Sequence, residues 1–463
     1  MNQKLAIIGL DCAAPELVFD KFRQDLPTLS SLLQAGTWGR LRSATPPITV
    51  PAWASMFSGR DPGELGVYGF RNRKNYSYDS LSIATANAIK YPRLWDILGN
   101  HDLKSIVLGV PQTYPTKPLN GLLISGLLTP GQDSQFTYPD DLKSEILEQF
   151  PNYQFDVANY RQLGPERFLE QLYTMTGTRF DVAKYLTSKY PWDCFTMVEI
   201  GLDRVQHIFW HHMDQKHPLY IKDSPFKNVI RKYYQFLDRQ IGQLLAAFDE
   251  HTTVVIVSDH GAQSMQGGFC LNEWLISEGY LALKSDPPEE PVELDAEMVD
   301  WNQTRAWGTG GYYGRIFLNV QDRETNGVVG ENDYDELCTE IQTKLSTVQH
   351  PGGRILKNDI LRPKDVYRQV NGIAPDLMVF FDDLRYRSLG SIGHDGLFSQ
   401  TNDTGPDGAN HAFDGIFISS DKLNPEESKE ISGMQLQDFL PSVLSKLQIP
   451  FQDLDFDGKV FQI

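Results

Sequence analysis

Three apolar runs each lead into an aspartate: residues 5–10 (LAIIGL) into Asp11, 195–202 (FTMVEIGL) into Asp203, and 252–258 (TTVVIVS) into Asp259. Such runs read as buried strands, and in an open α/β sheet ligands gather outside the carboxyl ends of the strands. Three carboxylates therefore converge on one crevice, and the chemistry they suggest is divalent-cation binding. Histidines stand beside them. His260 directly follows Asp259 in VSDHGA, and His207 lies four residues after Asp203 in GLDRVQH. That spacing puts both side chains on one face of a helix's first turns, a two-point clamp for a metal. His411, in GANHAFDGIFI, is a further donor just ahead of another strand. His211 would continue the face of His207, but it reads with His212 and His217 as a solvated helix end. Each residue taken alone has a plainer reading as a cap or turn residue; the recurrence of the pattern is what points to a site.

Residues 45–61 (TPPITVPAWASMFSGRD) supply a hydroxyl. Thr49 sits in a proline-bracketed turn before a stretch that looks like the start of a helix. An oxygen there meets the free N–H groups and positive dipole end that favour an anion, although a simple N-cap role accounts for the local sequence equally well.

These residues need strands and helices to position them. Buried-strand patterns occur at 5–10, 105–110, 195–200, 252–257, 377–381 and 415–419. A helical period runs through 228–248, where Val229, Tyr233, Phe236, Leu237, Ile241, Leu244, Leu245 and Phe248 recur at steps of three and four. Alternation of the two predicts an α/β fold with a doubly wound, mostly parallel sheet. Residues 285–300 hold seven acids, three prolines and no base, which reads as an exposed linker. It predicts a smaller inserted α+β lobe over 285–386, with the catalytic core formed by 1–284 and 387–463.

The chain has 463 residues, 42 Lys plus Arg against 60 Asp plus Glu, and a net charge of -18. With no basic run above that background, a nucleic-acid duplex and an anionic membrane are excluded as partners. Four cysteines without a CxxC pair argue against a thiolate zinc site and for a reducing compartment. The run at 5–10 is too short for a signal segment and 121–128 too short to span a bilayer, so a cytoplasmic protein is expected. Oligomeric state is not encoded in any pattern.

Asp11, the TVPAW segment with Thr49, GLDxxxH, SDHG and a late NH, in that order, resemble the alkaline phosphatase superfamily. More closely they resemble its type I phosphodiesterase/nucleotide pyrophosphatase family. The resemblance implies two divalent metals. Asp11, Thr49, Asp259 and His260 would hold one, and Asp203, His207 and His411 the other, with Thr49 as nucleophile and a phospho-threonine intermediate. Aspartate–histidine sites suit Zn²⁺, with Mn²⁺ as the alternative. Two cations against three aspartates leave about +1 for a small phosphate ester, nucleotides included. Where the family commonly has Phe after the Thr, forming part of a base slot, this chain has Val50. No Asn aligns with the one that holds a phosphate oxygen; Asn72 and Arg71 are substitutes, and Trp53, Tyr312 and Tyr313 are candidates for a stacking wall. A sulfatase is disfavoured because Thr49-Val50-Pro51-Ala52-Trp53 lacks the Cys/Ser and Arg of that motif. A cofactor-independent phosphomutase and a non-catalytic metal-binding protein on the same scaffold are the competing readings.

Overall fold

The runs at 5–10, 105–110, 195–200 and 252–257 lie side by side in a nine-stranded sheet. The computed structural model that shows this describes residues 4–402, 405, 407–421 and 427–463. From one side to the other, Thr252–Val257, Lys4–Leu10, Cys194–Glu199, Ser105–Leu108 and Gly121–Ile124 are all parallel. Every residue of Cys194–Glu199 and Thr252–Val257 is buried, because helices cover both faces of the sheet. This is why those strands are built largely of apolar and β-branched residues. The flanks are antiparallel. Thr137–Tyr138 closes one edge, while Asp414–Asp421 and Gly36–Arg42 continue the other, beyond which Lys429–Gln435 runs parallel to its neighbour.

The period read at 228–248 is the Val229–Ala246 helix, with Tyr233, Leu237, Ile241 and Leu244 turned into the core. It packs against Gly201–Met213 and the long Pro165–Lys189 helix. No helix among the described residues is long and apolar enough to cross a membrane.

A second apolar core takes in Phe269, Leu271 and Trp274 at its start and reaches Tyr386. It surrounds a four-stranded antiparallel sheet ordered Ala306–Thr309, Gly314–Leu318, Leu377–Phe380, Asp359–Leu361. The run at 377–381 therefore belongs to this sheet, and the main sheet resumes only at Asp414–Asp421. Its apolarity is that of a strand buried in the smaller core, which composition alone does not distinguish from a strand of the larger one. Upstream of the acidic segment, Gly267–Cys270 already pairs with Tyr386–Leu389, and within the segment Val292–Glu293 pairs with Ser391–Ile392. The chain passes between the two cores on one ribbon, Gly261–Ser264 antiparallel to Ala409–Ala412.

Gly9 lets the Thr49–Ser58 helix approach the central strand. A Cβ at Gly9 would stand 2.5 Å from the Trp53 ring and 2.9 Å from Val198. Gly9→Ala should destabilise the fold by roughly 1–3 kcal/mol through overpacking, measured by urea unfolding. An unchanged midpoint would show that the helix yields freely.

Candidate metal centre

Asp11 leaves the end of Lys4–Leu10 and Asp259 follows Thr252–Val257, so two neighbouring parallel strands deliver carboxylates to one edge. Asp203 comes from the first turn of Gly201–Met213, and His207 from the next turn on the same face. His260 immediately precedes the ribbon, and His411 lies within it, opposite Ala262. Thr49 is the first residue of Thr49–Ser58, with Ile48 as an extended N-cap. All seven candidates are buried.

They form two overlapping clusters. Asp11, Asp259 and His260 bring donor atoms within 4.8 Å of one another, and so do Asp203, His260 and His411. His260 Nε2 lies 3.1 Å from Asp259 Oδ2 and 3.7 Å from Asp11 Oδ1. Asp203 Oδ1 lies 3.1 Å from His207 Nε2 and 3.6 Å from His411 Nε2. The geometry thus brings His260 within reach of both groups, whereas the resemblance assigned it to one. Thr49 donates from Oγ1 to Asp11 Oδ1 at 3.4 Å and is equally far from His260 Nε2.

Four of these atoms, Asp203 Oδ1, His207 Nε2, Asp259 Oδ2 and His411 Nε2, are buried without any hydrogen-bond partner. Orphaned acceptors facing one another in a protein interior are costly unless a cation joins them. The donor set therefore fits divalent metals. Electrostatics agree: burial, reinforced by Asp203, pushes the Asp11 carboxyl up to about 8 against the hydrogen bonds from Trp53 and Thr49. Burial with Asp11 and Asp203 does the same to Asp259, driving it well above the usual carboxylate range. Burial lowers His260 well below its ordinary value, with His411 adding to the effect, which favours the neutral, metal-binding imidazole. Burial opposes ionisation of Asp203 too, but His207, His411 and Arg204 outweigh it.

The supporting contacts include several that sequence reasoning missed. Trp53, considered above for a stacking wall, is fully buried and donates Nε1 to Asp11 Oδ2 at 2.8 Å. Arg204 donates to Asp203 Oδ2 at 2.6 Å and forks onto Asp156. Its position next to Asp203 was the available signal. Tyr312 stacks on His411 at 3.8 Å, and His411 stacks on His260 at 3.8 Å. Tyr313 is buried, bonding Tyr68 O, and Asn72 is spent closing the 68–72 turn. His212 and His217 engage Ser224 and the Leu219 amide, and His211 packs beside them.

A doubly wound sheet with this carboxylate–imidazole cluster at its edge defines a member of the alkaline phosphatase superfamily. Residues 5–414 match the family model described as type I phosphodiesterase / nucleotide pyrophosphatase, and the chain belongs to that family. Human ectonucleotide pyrophosphatase / phosphodiesterase 5 is similar over 97% of this chain and 96% of its own, at 13% identity and TM-score 0.56. The inactive murine form of that protein in complex with AMP aligns over 99% of this chain and 97% of its own, at 12% identity and TM-score 0.56. Phosphonoacetate hydrolase from Sinorhizobium meliloti, in complex with phosphonoformate, covers 96% of each chain at 12% identity and TM-score 0.60. No curated protein matches by sequence.

A carboxyl whose pKa is higher folded than unfolded favours folding below the unfolded value, near 3.8 for Asp11, and loses that contribution as pH rises towards about 8. Chelator-stripped protein should accordingly melt progressively lower from pH 6.5 to pH 8, above the range in which the depressed His260 imidazole contributes with the opposite sign, and the gap to metal-loaded protein should widen. Differential scanning calorimetry across that range would contradict this account if the gap stayed constant.

Proposed function

We propose that the chain is a two-metal phosphoester hydrolase acting on small phosphodiesters or pyrophosphates through Thr49. The observation that carries this reading is the position of Thr49 Oγ1 at a helix N-terminus, 3.4 Å from a donor of each residue type in the cluster, Asp11 and His260. Asp11, Thr49, Asp259 and His260 would hold one cation, and Asp203, His207 and His411 the other. Zn²⁺ suits these ligands, and Mn²⁺ is the alternative. When bound, such cations supply charge for the phosphoryl oxygens and lower the pKa of a coordinated hydroxyl.

The hydrogen bond to Asp11 aligns Thr49 Oγ1 for attack on phosphorus. The Thr49 oxygen, its proton passing to solvent, forms the new P–O bond as the leaving oxygen departs, an alkoxide from a phosphodiester or a phosphate from a pyrophosphate, giving a phospho-threonine. Water then attacks from the opposite side and releases phosphate or a monoester. The amides of Thr49 and Val50 lie in the first turn of the helix, where N–H groups lack intrahelical partners, and would be free to bind the phosphoryl oxygens; Pro51 has no N–H to add. Two fold neighbours bound to AMP and to phosphonoformate support a small phosphoryl substrate. Val50 is buried among Ala54, Leu65 and Val67, so base stacking at that position forms no part of the proposal. Four buried free cysteines accord with a cytoplasmic location.

Thr49→Ala should reduce turnover of bis(p-nitrophenyl) phosphate and of a pyrophosphate by roughly 10³-fold or more, with both metal equivalents retained by elemental analysis. A near-native rate would remove Thr49 as nucleophile. With sugar phosphates, isomerised product without free phosphate would favour the phosphomutase.

A further inference from the structure

One buried carboxylate beside the centre has no role in this mechanism. Asp407 precedes the Ala409–Ala412 strand, and its side chain is 0% exposed. Its Oδ1 lies 2.7 Å from His207 Nδ1, which is also 3.0 Å from Ala409 O. Its Oδ2 accepts from Arg161 Nη2 at 3.1 Å and from Arg387 Nη1 at 3.3 Å. Three separate elements thus converge on one carboxylate: the Gly201–Met213 helix, the Tyr160–Gln162 turn and the Tyr386–Leu389 strand.

An imidazole can offer one nitrogen to a cation only if the other carries the proton, and the partner of that proton fixes both tautomer and ring orientation. The three candidate histidine ligands differ in this partner. His411 Nδ1 faces Pro47 O at 2.7 Å and His260 Nδ1 faces Gly261 O at 3.1 Å, both neutral carbonyls. His207 has a carboxylate. On its far side, His207 Nε2 meets Asp203 Oδ1 at 3.1 Å, and neither atom has a hydrogen-bond partner.

We propose that Asp407 is the positioning residue of His207. It holds the ring in the Nδ1–H tautomer and aims the Nε2 lone pair at the cation shared with Asp203 and His411. Arg161 and Arg387 fix the carboxylate and offset its charge, so that it orients the imidazole without adding a net anion to the crevice. This assignment rests on the reading of Asp203, His207 and His411 as ligands. It makes one of the two cation sites dependent on a residue that touches neither metal nor substrate. It also ties that site to the lobe, because Arg387 belongs to the strand that pairs with Gly267–Cys270.

The experiment is a competition titration of chelator-stripped protein with Zn²⁺ alone, using a chromophoric chelator, on wild type, Asp407→Asn and Arg161→Gln. Asparagine keeps an oxygen for the Nδ1 proton but removes the charge. Asp407→Asn should weaken one metal equivalent about 10- to 100-fold and leave the other unchanged. Arg161→Gln, which keeps the Asp407–His207 contact, should shift it less. Asp407→Glu, which retains the charge, should weaken the same equivalent by a smaller factor and serves if the Asn variant fails to fold. A residue that merely neutralises two arginines would instead lower the melting temperature of the stripped protein and leave the affinity difference between the sites intact. Wild-type affinity at both sites in Asp407→Asn, or equal weakening of both, would overturn the assignment alone. Fewer than two equivalents in wild type would overturn the two-metal reading and this assignment with it.

Discussion

Asp11, Asp203 and Asp259 are packed into one buried crevice, and like charges so placed repel. At about 4 Å and an effective dielectric of about 20, a single such pair costs about 4 kcal/mol. Much of the surrounding structure answers that repulsion. Trp53 donates to one oxygen of Asp11, Arg204 covers one oxygen of Asp203, and the backbone amide of Cys12 reaches Asp259. The opposite oxygens of Asp203 and Asp259 remain unpartnered and face the imidazoles. Asp203 and Asp259 therefore each have a supported side and an open side. Both open sides lie in the cluster of candidate ligands, which is an arrangement that divalent cations would complete.

A rigid floor is needed to keep carboxylates that close. Asp11 and Asp259 extend strands that are hydrogen-bonded neighbours in register, Lys4 opposite Thr252 through Gly9 opposite Val257. Separating them would break a parallel ladder at the centre of the sheet. Asp203 and His207 are held by helical spacing instead, and Gly9 sets how near Trp53 and Thr49 come to the floor. Structures only 12–13% identical in sequence share this fold over 96–99% of the chain.

Legibility in the sequence followed the same physics. The strand–aspartate pattern was readable because central parallel strands must be continuously apolar and their ends must meet. The Asp203–His207 pair was readable because helix spacing is fixed. Gly36–Arg42 and Lys429–Gln435 escaped notice because they lie at or next to an edge and carry polar residues at intervals. Asp407 escaped for another reason: in a stretch reading TGPDGANH, aspartate looks like turn chemistry, and its partners Arg161 and Arg387 are distant in sequence. The run at 377–381 carried the right local structure, but nothing local says which sheet a buried strand joins. Trp53 looked like an exposed stacking surface until the Gly9 contact placed it beneath the site.

The Gly261–Ser264 and Ala409–Ala412 ribbon has a topological consequence. Residues 265–408 leave and re-enter through two adjacent strands that immediately follow His260 and contain His411. The long excursion between them, with its own core, therefore closes a loop whose two ends are stapled at the reactive centre. Insertions or deletions within that excursion would leave the stem in register. Placement of the histidine donors is thereby separable from the length and packing of the excursion, because the register of the stem fixes His411 opposite Ala262.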